Sequence, residues 1–176
     1  MLAERGAVVI DADRLYHEAV VPRILPALVE RFGESVTLPD GGLDRAALAA
    51  VVFGDDEARK ALNAITHPAI GRAIVQRVRE HVDGGRVVVL DVPLMKNKAQ
   101  YATEMMVVVT APDEERVRRL VADRGMTEAD ARARVAAQAA DLAGQLDEAD
   151  VVIDNSGTRA DLEAQVERLW ADLTTV

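Results

Sequence analysis

The chain has 176 residues, of which 49% are hydrophobic and 29% charged, a composition typical of one globular domain with a substantial apolar core. Thirty acidic residues against 21 basic ones give a formal charge of −9, which argues against a nucleic-acid-binding protein because such a protein needs a basic surface. The chain has no cysteine, so disulfide bonds, thiolate catalysis and cysteine-based metal sites are excluded.

The location and partners of the protein can also be inferred from this composition. No apolar run approaches the ~20 residues of a membrane-spanning helix, and the first residues have no signal-peptide character. We therefore expect a cytoplasmic protein that binds neither membrane nor nucleic acid and is a monomer or weak homo-oligomer. A small anionic ligand is compatible with the net charge, because a few arginines or a helix N-terminus can hold it locally.

Four short apolar runs predict the strands of a parallel sheet: residues 7–10, 87–90, 105–109 and 151–153. Each is rich in β-branched residues and lacks polar alternation, which is typical of a strand buried on both faces under helices. Short buried helices are the alternative, but the glycine, aspartate and asparagine residues that flank the runs favour strands.

Helical periodicity accounts for much of the remaining sequence. Pro112 is placed to start one helix, and Thr127 is placed to cap a second that runs to about Leu142. Residues 161–173 have the apolar stripe of a closing amphipathic helix. Residues 19–82 are mostly helical by pattern and interrupted by prolines. The order predicts an α/β fold, a three-layer parallel sheet flanked by helices, with a helical insertion.

Ligands of parallel α/β proteins bind beyond the carboxyl ends of the strands. This rule selects the residues that directly follow the apolar runs, namely Asp11, Asp13, Asp91, Pro93 and Asn155. A carboxylate there can accept a proton from a substrate hydroxyl or hold Mg²⁺ through water. The alternative for the Asp-Ala-Asp segment is that one aspartate only caps the following helix.

His67 and Pro68 are a second candidate, inside the helical insertion. Pro68 can start a helix, and an imidazole beside it can donate a hydrogen bond to an anionic ligand. A purely structural histidine is the alternative, and the residues alone do not decide between the two.

The arginines of residues 116–134 are a third candidate. Arg119 and Arg124 are spaced to approach one face, and adjacent guanidinium groups suit a polyphosphate. Acidic residues alternate with these arginines, so ion pairing along a solvated helix face is the alternative. Farther along the chain, Asn155 and Gly157 lie in a predicted turn that needs no function of its own.

Taken in order, these segments resemble the dephospho-CoA kinase family over nearly the whole chain. The motifs that carry the resemblance are Val-Ile-Asp-Ala-Asp, Leu-Asn-Ala-Ile-Thr-His-Pro, Asp-Val-Pro-Leu, Val-Val-Val-Thr-Ala-Pro, Arg-Gly-Met-Thr-Glu-Ala-Asp-Ala-Arg and Ala-Asp-Val-Val-Ile-Asp-Asn-Ser-Gly. The resemblance implies a P-loop kinase that uses ATP with Mg²⁺ to phosphorylate the ribose 3′-hydroxyl of dephospho-CoA, giving coenzyme A.

The resemblance also implies roles for individual residues. Asp13 would be the general base, and no residue is expected to be a direct metal ligand. Substrate binding would involve Asp11, His67, Pro68 and Pro93, and ATP binding would involve Arg119, Arg124, Asn155 and Gly157. The implied division is a nucleotide-binding core of residues 1–18, 84–111 and 150–176, a helical dephospho-CoA domain of residues 19–83, and a lid of residues 112–149.

Three features depart from the family pattern. The phosphate-binding motif G-x-x-x-x-G-K-S/T occurs nowhere in the 176 residues, although its amides and lysine would cradle the phosphates. Residues 95–98 form a basic tract where the family has an acid. Residues 139–148 are acidic where the family lid is basic, and an acidic lid should repel ATP.

These departures leave more than one hypothesis open. The first is a kinase whose start is assigned too late or whose chain is shortened, and the second is a non-catalytic relative that binds dephospho-CoA or a protein partner. A different nucleoside or nucleotide kinase fits less well. We expect the 176 residues alone to turn over little or no ATP, and we expect a sheet that has lost a central strand.

Overall fold

The computed structural model describes residues 1–82, 84–93 and 95–175. The strands are β1 (Val8–Asp11), β2 (Val88–Asp91), β3 (Val107–Thr110) and β4 (Val151–Asp154). The α-helices are α1 (Ala12–Leu15), α2 (Val21–Phe32), α3 (Arg45–Val52), α4 (Asp56–Val82), α5 (Asp113–Arg124), α6 (Glu128–Ala137), α7 (Ala139–Glu148) and α8 (Arg159–Thr174). A π-helical turn, Tyr16–Val20, links α1 to α2.

The chain forms two compact units, Ala7–Val92 and a second made of Met1–Gly6 with Pro93–Val176. In Ala7–Val92, β1 and β2 pair in parallel and in register, with Val8 opposite Val88 and Asp11 opposite Asp91. Helices α2, α3 and α4 enclose its core, whose buried members are Val20, Ile24, Leu28, Val36 and Leu48. The core thus lies among the helices that follow β1 in the chain, and Tyr16, one turn beyond the candidate carboxylates, packs against it.

In the second unit, β3 and β4 pair in parallel, with Val107 opposite Val151 and Thr110 opposite Asp154. One apolar cluster joins α5 to α6 through Val117, Ala131 and Val135. A second cluster places α8 against β4 through Ile153, Val166 and Leu169. Both clusters are small, and α7 buries none of its side chains.

The four predicted strands are confirmed, and both pairings are parallel. The expectation that they are buried on both faces is wrong for several residues, since Val109 is 57% and Val152 48% exposed. The cause is that the described strands form two ladders of two strands each. Every strand therefore has an unpaired edge, and parts of its surface have no neighbouring strand or helix to cover them.

The helix boundaries agree with the sequence pattern at several caps. Pro112 precedes α5, and the Thr127 side chain accepts a hydrogen bond from the backbone N–H of Asp130 to cap α6. The predicted single helix to about Leu142 is instead two helices, because the chain bends at Gln138 between α6 and α7.

Pro68 does not start a helix, as the sequence suggested, but lies inside α4. Helix α4 continues through it because residues on both sides, among them Leu62, Ile65 and Ile70, pack against the core of Ala7–Val92. Buried Thr66 turns its hydroxyl back to the Leu62 carbonyl at 3.0 Å. Among the residues described, no helix is long and apolar enough to cross a membrane.

Candidate active site

Two strand ends in Ala7–Val92 carry the first candidate residues. The parallel register places Asp11 and Asp91 opposite each other at the carboxyl ends of β1 and β2. Asp13 follows in the first turn of α1. The sequence rule therefore correctly placed three carboxylates at one edge, although Asp91 was not among the residues assigned a role.

The two aspartates of the Asp-Ala-Asp segment have different tasks. Oδ1 of Asp11 accepts a hydrogen bond from the backbone N–H of Arg14 at 2.9 Å, so Asp11 is the helix cap. The Arg14 guanidinium pairs with Glu18 at 2.8 Å. Asp13 is exposed, and within the described ranges its carboxylate has no hydrogen-bond donor or cation partner. Of the pair, Asp13 is the one available to a substrate.

His17 is a partly buried polar residue that the sequence analysis did not select as a candidate. It lies in the π-helical turn that follows α1, and its ring meets Tyr16 edge-on. Its Nδ1 atom is buried and has no hydrogen-bond partner among the residues that the structure covers. Its spacing of four residues from Asp13 was the available signal, because that spacing places two residues on one helix face.

His67 and Pro68 are both exposed on α4. Helix α4 contacts α1 and the π-helical turn, so the substrate-binding candidates of the insertion belong to the same unit as Asp13. No bond between His67 and Asp13 is seen in the part of the chain described here. Their role in substrate binding stays a prediction.

Arg119 is the arginine whose surroundings set it apart from its neighbours. Its Nη2–H donates to the carbonyl oxygen of Asn155 at 2.9 Å, and its Nε–H donates to Glu115 Oε1 at 2.8 Å. The Asn155 backbone N–H in turn donates to the Thr110 carbonyl at 2.7 Å. Two predicted ATP-binding residues, Arg119 and Asn155, are thus brought together at the ends of β3 and β4.

The other arginines of this region fit the solvated-face alternative. Arg118 pairs with Glu115 at 2.7 Å, and Arg132 pairs with Glu114 at 2.7 Å. The hydrogen bonds from Arg118, aided by the charges of Arg118 and Arg119, lower the pKa of Glu115 to about 2. Arg124 is exposed at the end of α5, and no bond to Arg119 or Asn155 is seen for it within the described residues.

Gly157 has a local structural reason to be glycine. A Cβ at this position would lie 2.8 Å from Asp161 Oδ2, and Asp161 forms a capping box with Thr158 at the start of α8. The hydrogen bonds from Thr158 lower the pKa of Asp161. Gly157 therefore allows the cap to form, and its predicted role near ATP stays a prediction.

Pro93 lies in the loop that follows β2, and its carbonyl accepts a hydrogen bond from Gln145 Nε2 of α7 at 3.1 Å. The same nitrogen donates to the Met95 carbonyl at 3.1 Å. Part of the basic tract is neutralised, because Lys98 pairs with Asp150 at 2.7 Å. The hydrogen bond from Lys98 lowers the pKa of Asp150. Leu94, the last residue of the Asp-Val-Pro-Leu motif, lies outside the described residues.

Comparisons with known proteins agree with this architecture. A family model described as dephospho-CoA kinase matches residues 1–161. The dephospho-CoA kinase of Corynebacterium glutamicum is 43% identical over 177 residues, which cover 98% of this chain and 88% of that protein. The crystal structure of TT1252 from Thermus thermophilus superposes with a TM-score of 0.80 at 33% identity, covering 98% of this chain and 88% of that one.

A dephospho-CoA kinase structure from Campylobacter jejuni shares the fold, with a TM-score of 0.65 at 21% identity, covering 99% of this chain and 88% of that one. The α/β fold with parallel strands is thus confirmed, and the chain is a phosphotransferase of the P-loop kinase class. Within that class it belongs to the dephospho-CoA kinase family. The family's reaction is the ATP-dependent phosphorylation of dephospho-CoA, and the non-catalytic alternative is not favoured.

Proposed function

We propose that Asp13 is the general base of this reaction and that Arg119 binds the phosphates of ATP. The observation that supports the first role is the exposed carboxylate of Asp13, which has no partner among the described residues and lies in the first turn of α1, directly beyond the end of β1. Asp11 is engaged by the Arg14 amide, which leaves Asp13 as the carboxylate that can take a proton.

The proposed reaction transfers the γ-phosphoryl group of ATP to the ribose 3′-hydroxyl of dephospho-CoA. The Asp13 carboxylate accepts the proton of the ribose 3′-hydroxyl, and the oxygen attacks the γ-phosphorus of ATP. The bond between that phosphorus and the bridging oxygen of ADP breaks, and ADP leaves. The chemistry requires in-line positioning and neutralisation of charge. A guanidinium such as that of Arg119 supplies donors and charge for phosphate oxygens.

Substrate binding is proposed for the helical insertion. Residues 19–83 would receive dephospho-CoA, with exposed His67 and Pro68 on α4 among the contacts, and with Asp11 and Pro93 at strand ends. Arg124, Asn155 and Gly157 are proposed on the ATP side, and residues 112–149 as the lid. The cytoplasmic location and the monomeric or weakly oligomeric state likewise stay predictions.

Mg²⁺ normally accompanies ATP in such enzymes and keeps several waters while taking one or two carboxylates and phosphate oxygens. No three His, Asp or Glu side chains converge as a metal site within the described residues. The P-loop hydroxyl that would bind Mg²⁺ has no counterpart in these 176 residues. The side chains that the structure describes therefore do not form a metal site by themselves.

The test compares the 176-residue chain with an extended chain, in which a strand, a G-x-x-x-x-G-K-S/T loop and a helix are joined before Met1. We expect the 176 residues alone to show little or no turnover of ATP, and the extended chain to phosphorylate dephospho-CoA. In the extended chain, Asp13→Asn should lower kcat by roughly 10²- to 10⁴-fold, the usual contribution of a general base.

The matched control is Glu18→Gln, which removes an exposed carboxylate from the same segment and should leave kcat unchanged. Unchanged kcat in Asp13→Asn would show that Asp13 is not the base. Rapid turnover by the 176 residues alone would show that the phosphate cradle is dispensable.

A further inference from the structure

The guanidinium of Arg119 is fixed at two points that belong to different elements. Its Nε–H donates to Glu115 one turn earlier on α5, and its Nη2–H donates to the backbone carbonyl of Asn155 after β4. An arginine side chain has five N–H donors, and three of those of Arg119 have no acceptor among the described residues. The side chain is 33% exposed, which leaves part of it accessible to a ligand.

Glu115 is itself held in place by a second arginine. Arg118 Nε–H donates to its Oε2 at 2.7 Å, and Arg118 Nη2–H donates to its Oε1 at 2.7 Å. Both carboxylate oxygens are therefore occupied, and this two-pronged geometry restrains rotation of the carboxylate. Glu115 is only 22% exposed, whereas Arg118 is 65% exposed.

A free arginine side chain samples many rotamers, and fixing them in one orientation costs conformational entropy. A guanidinium that is fixed before the ligand arrives does not lose that entropy on binding, and it is already aligned when charge develops on the transferred phosphoryl group. Glu115 and the Asn155 carbonyl provide this fixation for Arg119.

We infer that Glu115 is a positioning residue of the nucleotide side of the site, which holds Arg119 in the orientation that binds an ATP phosphate. The inference rests on the proposed role of Arg119. The competing explanation is an ordinary ion pair along a helix, which stabilises the helix slightly and has no effect on substrate binding. The two explanations differ in what they predict for the KM for ATP.

The experiment measures KM for ATP, KM for dephospho-CoA and kcat in the extended chain. Arg119→Ala should raise KM for ATP about tenfold or more, as the loss of a charge-assisted phosphate contact. Glu115→Ala should raise KM for ATP roughly three- to tenfold, without changing KM for dephospho-CoA. Glu115→Gln keeps one oxygen to accept from Arg119, so it should recover part of the loss.

The matched control is Glu114→Ala. Glu114 neighbours Glu115 on α5 and forms an ion pair with Arg132, so the variant removes the same charge and one salt bridge without touching Arg119. We expect its KM for ATP to equal that of the parent. Thermal unfolding of each variant identifies a change that acts through stability alone.

The results test the positioning role of Glu115 separately from the phosphate-binding role of Arg119. If Arg119→Ala raises KM for ATP but Glu115→Ala behaves like Glu114→Ala, the positioning role is wrong and the role of Arg119 stands. If Arg119→Ala leaves KM for ATP unchanged, the proposed role of Arg119 is wrong and the inference is wrong with it. Partial recovery of KM for ATP in Glu115→Gln, together with an unchanged KM for ATP in Glu114→Ala, confirms the inference.

Discussion

The two compact units of this chain are stabilised in different ways. In Ala7–Val92, three helices enclose an apolar cluster that includes Leu28 and Val36, both completely buried. The second unit has smaller apolar clusters and relies more on charged contacts, such as Arg132 with Glu114 between α6 and α5 and Arg5 with Glu167. The proposed general base therefore belongs to the more extensively packed unit.

This difference has a functional consequence. A general base must be held within a few tenths of an ångström of its working position, which dense packing provides. The proposed lid, residues 112–149, must instead move as a segment, within which Arg119 keeps its bond to Glu115. Segments with few buried contacts open at low free-energy cost. We therefore expect the stability of the second unit to depend more on its charged residues. The stability of Ala7–Val92 should fall more when a buried side chain is shortened and leaves a cavity.

The largest expected effect comes from a cavity in the core of Ala7–Val92. Leu28→Ala should lower the free energy of unfolding by about 2–5 kcal/mol, because the side chain is completely buried and its removal leaves a void. The same substitution at Leu146 of α7, which is 37% exposed, should cost less than about 1 kcal/mol. Urea unfolding of both variants measures the difference, and equal losses would contradict the contrast between the units.

Pro68 offers a test in which stability and binding should move in opposite directions. An interior proline removes one helix hydrogen bond and crowds the preceding turn, so Pro68→Ala should raise the free energy of unfolding by roughly 1–3 kcal/mol. If Pro68 contacts dephospho-CoA, calorimetry should also show weaker binding of that substrate.

Pro26 lies inside α2 and serves as the matched control for Pro68. Pro26→Ala should stabilise the protein without weakening the binding of dephospho-CoA. Unaltered binding in Pro68→Ala would limit Pro68 to a structural role.

Two glycines of the second unit should respond in opposite directions to replacement by alanine. Gly157→Ala should lower the free energy of unfolding by about 0.5–2 kcal/mol, because the new Cβ displaces Asp161 from the cap of α8. Gly144 lies inside α7 with open space around it, so Gly144→Ala should raise that free energy by about 0.5–1 kcal/mol. Thermal unfolding tests both, and a stabilised Gly157→Ala would show that the cap can adjust.

The sequence predicted the strands and most caps correctly because each depends on local chemistry. The β-branched runs at 87–90 and 151–153 became strands, and Thr127 became a cap. Pro68 was misplaced because packing on both sides of it outweighed its local preference to start a helix. The division into two ladders was not predicted, because a short apolar run does not specify which other strand it pairs with.

The positions of the candidate site residues could be predicted to a similar extent. The carboxyl-end rule selected Asp11, Asp13 and Asn155, and the structure places them at or just beyond strand ends. The distinction between a capping aspartate and an exposed one required the bond from Arg14. Composition alone could not distinguish Arg119 from its neighbours, because the deciding contact is with Asn155, 36 residues later. His17 was missed because the burial of a single ring nitrogen depends on tertiary packing.

The smallest expected effect is a pH dependence of stability that arises in the second unit. The pKa of Glu115 is lowered from 4.5 to about 2 by its hydrogen bonds and charges from Arg118 and Arg119. A carboxyl group whose pKa is lower in the folded state contributes its full stabilisation at a pH above its pKa in the unfolded chain. This stabilisation is lost as the pH falls through its pKa in the folded protein.

The thermal midpoint of the parent chain should therefore exceed that of Glu115→Gln at pH 7, and the difference should shrink between about pH 4.5 and pH 2. Because the group is close to solvent, salt should reduce the difference as well. A difference that stays constant over this pH range would mean that the ionised Glu115 does not stabilise α5, and that its bonds to the two arginines contribute only through packing.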